Sequence, residues 1–524
     1  MTALRGPTGD LRKPSMWTCG VGTLPVTAAL PLAAASGLLM DAATPDLGWW
    51  PLAFVSVTIL LAALLGRSTL ASFVVGCVFG AVFNLAHLIW VAQFLGPVPW
   101  LALSALQTVL IGVGSVTITL AYRWVKVRRL GGVLDLLGIP ALVAALWAAR
   151  EVLVGMWPYS GFPWVRVGMT QVSGPFPEVA SWVGSTGVTF LVVGVCAASV
   201  QALRPGRRTL RAGLPALVGV LLMAVTPQYA TQTVGTFTVG WVQGNGPAGY
   251  FDDRDKGDML RAQASASKAI LGQRMDLLAW PEGSVDIDPA SSEPTRRLLG
   301  EISAAYGAPL LINAATTRGE QTFNSTMLWE TDGSEQTYDK INPVPFGEYV
   351  PDRWLFERLA PDLVGLIQRE YSPGRSAPVM DVGDTRIGLA ICFDVIYDDV
   401  IFDAAQRGAQ VYIFQTNNAD FRGTDENVQQ LAIARMRAIE TGRAVVNVST
   451  VGTSQVINPD GSIVETIGVD TAAGRVSEVP LRAGITPASW LSPIVETAMV
   501  VASAVVLLWV RLHIHVGARK RKRS

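Results

Sequence analysis

The sequence predicts an α-helical membrane bundle of about eight spans joined to a layered α/β domain. Three observations carry that prediction. Apolar runs near the length of about 20 residues that a bilayer requires fill most of positions 1–230 and return once near the end. Residues 232–485 between them have ordinary soluble composition, with short apolar strands alternating with helical patterns. The short loops alternate between basic and neutral, as the connections of a multi-pass membrane protein do.

The composition agrees. Half of the 524 residues are hydrophobic, 16% are charged, and the mean hydropathy is +0.36, too apolar for a soluble chain of this length. The formal net charge is zero, so bulk charge gives no reason to expect a nucleic-acid partner. The basic clusters are topology signals and headgroup contacts.

Seven apolar runs come first, at 22–40, 50–66, 70–95, 100–122, 135–155, 178–202 and 212–228, and the eighth lies at 489–511. Basic residues cluster before the first run (Arg5, Arg12, Lys13) and after the second (Arg67), fourth (Arg123, Lys126, Arg128, Arg129) and sixth (Arg204, Arg207, Arg208, Arg211). The tail from Ala518 is nearly all basic, the first and third connections carry no positive charge, and Arg166 in the fifth is the one exception. Cytoplasmic loops hold the excess of Lys and Arg, so both termini are expected in the cytoplasm and the large polar domain outside it. The first run is expected to be retained, because no small-residue cleavage site follows it. The expected division is a transmembrane part at 1–230, a catalytic part at 231–486, and a last span with its basic tail at 487–524.

Within the polar domain, Thr236–Val242 alternates like a strand, residues 259–271 are helical in pattern, and Leu277–Trp280 is a short buried strand ending at Pro281-Glu282-Gly283. Further strands are expected at Pro309–Ile312, Ser325–Trp329, Arg386–Ile391, Val411–Gln415 and Ala444–Ser449, with a helix over 428–441. Polar residues gather at the ends of the buried strands, where α/β active sites tend to lie.

The chemistry-bearing residues are few. Of four cysteines, Cys19, Cys77 and Cys196 lie in or beside apolar runs, and only Cys392 lies in the polar domain, so no intradomain disulfide is available to it. No histidine falls between residues 88 and 512, which excludes a Cys–His pair within this domain. A thiol needs a base and a nearby cation to act as a nucleophile. Glu282, at a strand end where burial can raise its pKa, supplies a base. Lys340 supplies a cation that favours the thiolate and an oxyanion. Glu, Lys and Cys together are self-consistent without histidine, metal or any other cofactor.

Ala279-Trp280-Pro281-Glu282-Gly283, Tyr338-Asp339-Lys340 and Gly388-Leu389-Ala390-Ile391-Cys392-Phe393-Asp394 resemble the nitrilase superfamily, whose Glu-Lys-Cys triad sits on an α-β-β-α sandwich. The fuller resemblance is to the apolipoprotein N-acyltransferase family. It rests on Val344-Pro345-Phe346-Gly347-Glu348-Tyr349-Val350-Pro351, Gly161-Phe162-Pro163-Trp164 with Trp147, Arg150 and Glu151, Val242-Gln243-Gly244-Asn245, and the run from Ala434 to Gly442.

The resemblance implies catalytic roles for Glu282, Lys340 and Cys392, an auxiliary role for Glu348, and positions beside the nucleophile for Phe393 and Asp394, where many members have Tyr and Glu. It implies a phospholipid acyl donor, a diacylated lipoprotein acceptor, membrane lipid as surroundings, and a cell-membrane location. Three places depart from the family pattern: Asn418-Ala419-Asp420-Phe421-Arg422, the lack of a Trp after Asn245 where Tyr250 and Phe251 stand, and Gln429-Gln430 where Gln-His is common. The apolar segment holding Trp354 and Leu366 is expected to act as an arm that dips into lipid and gates the site. The alternatives are a membrane-tethered amidase or nitrilase-type C–N hydrolase, a non-catalytic envelope scaffold, and a transporter, which the scarcity of intramembrane charge disfavours.

Overall fold

A computed structural model describes residues 24–127, 132–203, 210–367 and 369–521. Cys19 and the basic residues Arg5, Arg12, Lys13, Arg128, Arg129, Arg204, Arg207 and Arg208 lie outside the described residues, as does the end of the basic tail. So do the side chains of Lys126, Arg211, His513 and His515.

Helices stand where the apolar runs placed them: α1 (Val26–Ala43), α2 (Pro51–Leu64), α3 (Thr69–His87), α4 (Val91–Leu95), α5 (Pro97–Val127), α6 (Gly132–Val154), α7 (Ala180–Ala202) and α8 (Leu210–Val225). Among the described residues, six helices, counting one at the C-terminal end, are long and apolar enough to cross a membrane, whereas α2 and the apolar part of α8 are shorter. The third run divides, because the chain turns at 88–90 and α4 leaves as a separate helix. Asn84, His87 and Gln93 lie about the break, but the run's otherwise apolar composition let it read as one span.

The charged groups Glu151 and Arg67 inside the bundle are paired. Glu151 accepts hydrogen bonds from Trp147 Nε1 at 2.8 Å and from Thr189 Oγ1 at 2.9 Å, and Arg150 lies 3.3 Å away. Arg67, buried, donates to the Ala63 carbonyl at the end of α2 and to the Leu24 carbonyl just before α1.

The polar domain is two six-stranded sheets. The first, in order β12-β1-β2-β3-β4-β5, uses β1 (Gln232–Gln243), β2 (Leu277–Ala279), β3 (Leu310–Arg318), β4 (Gln321–Trp329), β5 (Glu335–Asp339) and β12 (Ala473–Ala483). The second, in order β11-β10-β9-β8-β7-β6, uses β6 (Val379–Val382), β7 (Thr385–Ile391), β8 (Val411–Thr416), β9 (Val445–Ser449), β10 (Ser454–Ile457) and β11 (Ile463–Ile467). The central pairs, β1–β2–β3 and β7–β8–β9, are parallel. The inner parts of β2, β3, β7 and β8, buried on both faces, read as short apolar runs, whereas the alternation of β1 made it legible. Strands β5, β6, β10, β11 and β12 were not, because they carry more polar residues or lie at the edges.

Phe237, Trp241 and Leu311 of the first sheet share one core with Leu389, Ile413 and Val446 of the second. Helices α9 (Asp258–Ser267) and α10 (Glu293–Tyr306) cover the outer face of the first sheet. Helices α13 (Asp398–Gln406) and α14 (Glu426–Thr441) cover the second, which completes the expected α-β-β-α sandwich. Two short helices, α11 (Arg353–Leu359) and α12 (Pro361–Val364), lie in the connection between β5 and β6, and α15 (Pro487–Arg521) follows β12.

The α13/α14 layer is not a surface. Its apolar residues belong to the same cluster as α1, α2, α3, α6 and α7, so the bundle packs directly on it. That is why α14 is buried nearly all round, including Arg437 and Glu440. Arg437 meets Glu440 Oε2 at 2.6 Å and Asp398 at 2.7 Å, and Glu440 accepts the Ser185 N–H of α7 at 2.6 Å. Arg166 donates to the other oxygen of Asp398 at 2.6 Å. The basic residue that broke the loop pattern is thus the bundle's half of a buried ion pair. Removing one partner from such a pair strands the other charge. Arg166→Gln is expected to lower stability by about 3 kcal/mol, read as a reduced thermal midpoint of the full chain in detergent. Arg261→Gln, which breaks an exposed pair with Asp258, should leave that midpoint little changed, because exposed pairs are screened by solvent.

Candidate active site

Three strand ends bring the site together. Glu282 follows β2, Lys340 follows β5 in the same sheet, and Cys392 follows β7 in the opposite sheet. Cross-sheet hydrogen bonds fix the Glu282 turn against the second sheet: Gln415 Nε2 donates to the Trp280 carbonyl at 2.6 Å, and Thr450 Oγ1 to the Glu282 carbonyl at 2.7 Å. At Cys392 the backbone is left-handed, with φ 50°. A non-glycine residue rarely adopts that conformation without support from its surroundings. Here β7 gives way to a single 3-10 turn at Cys392–Ile396, and Arg437 holds the Val395 and Ile396 carbonyls at 2.8 and 2.7 Å.

Lys340 is enclosed by protein. Its Nζ lies 2.8 Å from Glu348 and 3.9 Å from Glu282. Its backbone is gripped on both sides, with Lys340 N–H donating to the Asn324 carbonyl at 2.8 Å and Gly374 N–H to the Lys340 carbonyl at 2.7 Å. A Cβ at Gly374 would fall 2.1 Å from the Asp339 carbonyl oxygen, so only glycine permits that approach.

Glu282 accepts a hydrogen bond from Asn324 Nδ2 at 2.8 Å, and the Cys392 thiol is also its hydrogen-bond partner. Burial raises Glu282 to a pKa of about 7; Lys340 opposes the rise and Glu348 adds to it. Burial and the neighbouring Glu282 push the Cys392 thiol well above its usual range, with Lys340 opposing. Burial alone would lower Lys340, but Glu348 and Glu282 more than reverse that, so it remains an ammonium. The resting arrangement is a protonated thiol against a carboxyl group poised to take its proton, beside a permanent positive charge. No cluster of metal-ligating side chains exists among the described residues.

The residues expected beside the triad take distinct positions. Glu348 is close, bonded to Lys340 and accepting from Asn324 Nδ2 at 3.0 Å and from Val344 N–H at 2.7 Å. Asp394 is fully buried and turns toward the lysine segment, accepting from Asn342 N–H at 3.1 Å and Tyr338 OH at 3.2 Å. Burial lifts its pKa to about 6 against the pull of Lys340. Phe393 turns the other way, stacking on Trp164 at 5.8 Å and contacting Phe162 and Tyr397. Trp354 and Leu366 are exposed on the α11/α12 segment, which is anchored by Val350, Val364 and Ile367.

Sequence reasoning missed Asn324, which bridges Glu282 and Glu348. The strand was expected to begin one residue later, at Ser325, so Asn324, inside β4, fell outside that reading. Asn418 is buried inside the domain, donating to Glu426 at 2.7 Å. Asp420 accepts the Tyr250 N–H at 2.7 Å, while Tyr250 and Phe251 pack on Phe94 of α4.

Residues 36–198 match the apolipoprotein N-acyltransferase N-terminal domain, and residues 238–480 match the carbon-nitrogen hydrolase family. An apolipoprotein N-acyltransferase of Mycolicibacterium smegmatis is 31% identical over 94% of this chain and 87% of its own length. Another, of Azotobacter vinelandii, is 28% identical over 87% of this chain and 90% of its own. Among solved structures, Saccharomyces cerevisiae Nit3, a member of branch 10 of the nitrilase superfamily, is 18% identical over 48% of this chain and 93% of its own, with a TM-score of 0.37. With 31% identity along nearly its whole length to one relative, and with both domains matched, the chain belongs to the apolipoprotein N-acyltransferase family.

Proposed function

We propose that this membrane enzyme moves a fatty acyl group from a phospholipid to the α-amine of the diacylglyceryl-cysteine at a lipoprotein N-terminus, through a thioester on Cys392. The observation that carries the reading is the meeting of Glu282, Lys340 and Cys392 at three strand ends, in a domain packed directly on long apolar helices. Two lipid substrates call for such a site beside a bilayer, whereas a small-molecule hydrolase needs no more than one anchor.

Glu282 takes the thiol proton as Cys392 attacks the acyl ester carbonyl. Lys340 faces the oxyanion of the tetrahedral intermediate. Glu282 then returns the proton to the departing lysophospholipid oxygen, which leaves the thioester. The lipoprotein amine attacks the thioester, Glu282 accepts the amine proton, and the thiol is restored on protonation of the sulfur. Exclusion of water from the thioester separates transfer from hydrolysis. Glu348 and Asp394 serve as positioning groups that hold the lysine segment, and Phe393 holds the turn against the bundle.

The proposed division is 1–230 and 487–524 in and about the membrane and 231–486 as the catalytic domain. The loop charges support a catalytic domain outside the cytoplasm and cytoplasmic termini.

The test is mass spectrometry of a diacylated lipopeptide incubated with phospholipid and the full chain. Conversion to the triacyl form by the wild type and none by Cys392→Ala is expected; conversion by the variant would overturn the reading. Acyl-thioester formation should fall as pH drops through about 7, the raised pKa of Glu282, because the base is then protonated and cannot take the thiol proton. A rate independent of pH there removes Glu282 as the base. Trp354→Ser with Leu366→Ser should slow transfer severalfold with no change in thermal midpoint, and unchanged transfer would remove the gating role.

A further inference from the structure

The Cys392 sulfur has a neighbour that the triad does not use. Gln430, on the second turn of α14 and 2% exposed, places Nε2 3.6 Å from Cys392 Sγ. The amide group of glutamine has two ends of similar shape, one donating and one accepting, and its hydrogen-bond partners decide which end faces the sulfur. Here the partners form a directed chain. Gly452 N–H donates to Ser449 Oγ at 3.0 Å, so that hydroxyl turns its own hydrogen to Asn418 Oδ1 at 2.6 Å. With its oxygen occupied, Asn418 offers Nδ2 to the Glu426 carboxylate at 2.7 Å and to Gln430 Oε1 at 3.1 Å. Gln430 Oε1 is thereby taken, and the N–H end is left for Cys392. Asn418 and Glu426 are each 2% exposed, so no bulk water competes for these bonds.

We propose that Gln430 is a further catalytic residue of this enzyme, an N–H donor to the Cys392 sulfur that stabilises the thiolate and aims it, with Asn418 and Glu426 as positioning residues that keep its donor end inward. The inference rests on Cys392 being the nucleophile. The charge balance explains the need. Lys340 is the cation beside the thiol, two carboxylates, Glu282 and Glu348, already draw on it, and the charges of Glu282 and Glu426 oppose the thiolate. A neutral donor adds stabilisation to the developing thiolate without adding another charge to desolvate. When Glu282 removes the proton, Gln430 N–H strengthens its bond to sulfur, and the bond relaxes again as the C–S bond of the thioester forms.

The experiment follows thiol reactivity separately from acyl transfer. The full chain in detergent is treated with iodoacetamide across the neutral-to-alkaline range, and labelling at Cys392 is followed by mass spectrometry. Gln430→Met keeps the volume but removes the donor. Its labelling profile is expected to move alkaline by about one pH unit, the size of a hydrogen bond to a charged acceptor. Acyl-thioester formation at neutral pH should fall roughly tenfold in kcat with KM for the phospholipid donor little changed. Gln430→His, which restores an N–H donor, should recover most of both. A Gln430→Met profile superimposed on that of the wild type, in protein with an unchanged thermal midpoint, overturns the proposal. If Gln430→Met does not fold, Asn418→Leu, which leaves Gln430 in place but frees its amide to turn over, should give the same alkaline shift, and no shift overturns it. Continued lipopeptide conversion by Cys392→Ala would instead sink the thioester route, and the labelling comparison would separate the two failures.

Discussion

The ammonium of Lys340 is shut away from water and sits between two carboxylates, 2.8 Å from Glu348 and 3.9 Å from Glu282. Burying that charge is costly unless it is paired and hydrogen-bonded, and much of the neighbouring architecture exists to pair it. Asn324 spans both carboxylates, Gly374 and Asn324 clamp the lysine backbone, and Asp394 ties down Tyr338 and Asn342 on either side. One positive charge faces more carboxylate than it can neutralise. Burial lifts the carboxyls further than the ammonium lowers them, so Glu282 holds its proton up to about pH 7 and Asp394 up to about pH 6, with Glu348 adding to both rises.

The membrane bundle is part of the same construction. The helix layer that closes the second sheet is also the surface on which the bundle docks, so a single apolar cluster extends from α1 to α14. Inside that interface Arg437 does two things at once. It neutralises Asp398 and Glu440, which link to Arg166 and Ser185 of the bundle, and it holds the carbonyls of the turn that carries Cys392. The left-handed backbone at Cys392 is over-determined by that grip. Phe393 adds a second tie by stacking among Phe162 and Trp164 of the loop that follows α6. The nucleophile is therefore positioned from the membrane side as much as from its own sheet.

Much of this was legible in the linear chain. Apolar run length located all of the long helices, because spanning a bilayer and forming a bundle are constraints on consecutive residues. The parallel strands were legible for the same reason, since burial on both faces writes an uninterrupted apolar run just before Glu282 and Cys392. The absence of histidine from the polar domain limited the base to a carboxylate. Charge in the loops was informative with one exception, Arg166, whose charge serves a buried pair and says nothing about topology.

What the chain by itself determined, then, was which residues could react and which segments would be helix or strand, because those properties depend on residue type and short-range pattern. Tertiary structure alone decided the break after α3, the all-round burial of α14, the opposite facings of Phe393 and Asp394, and the partners of Asn324, Arg437 and Gln430. Most of the contacts behind them join groups tens to hundreds of positions apart. The direction of an amide or the charge of a buried carboxyl follows from the neighbours that folding delivers, and no local pattern encodes those neighbours.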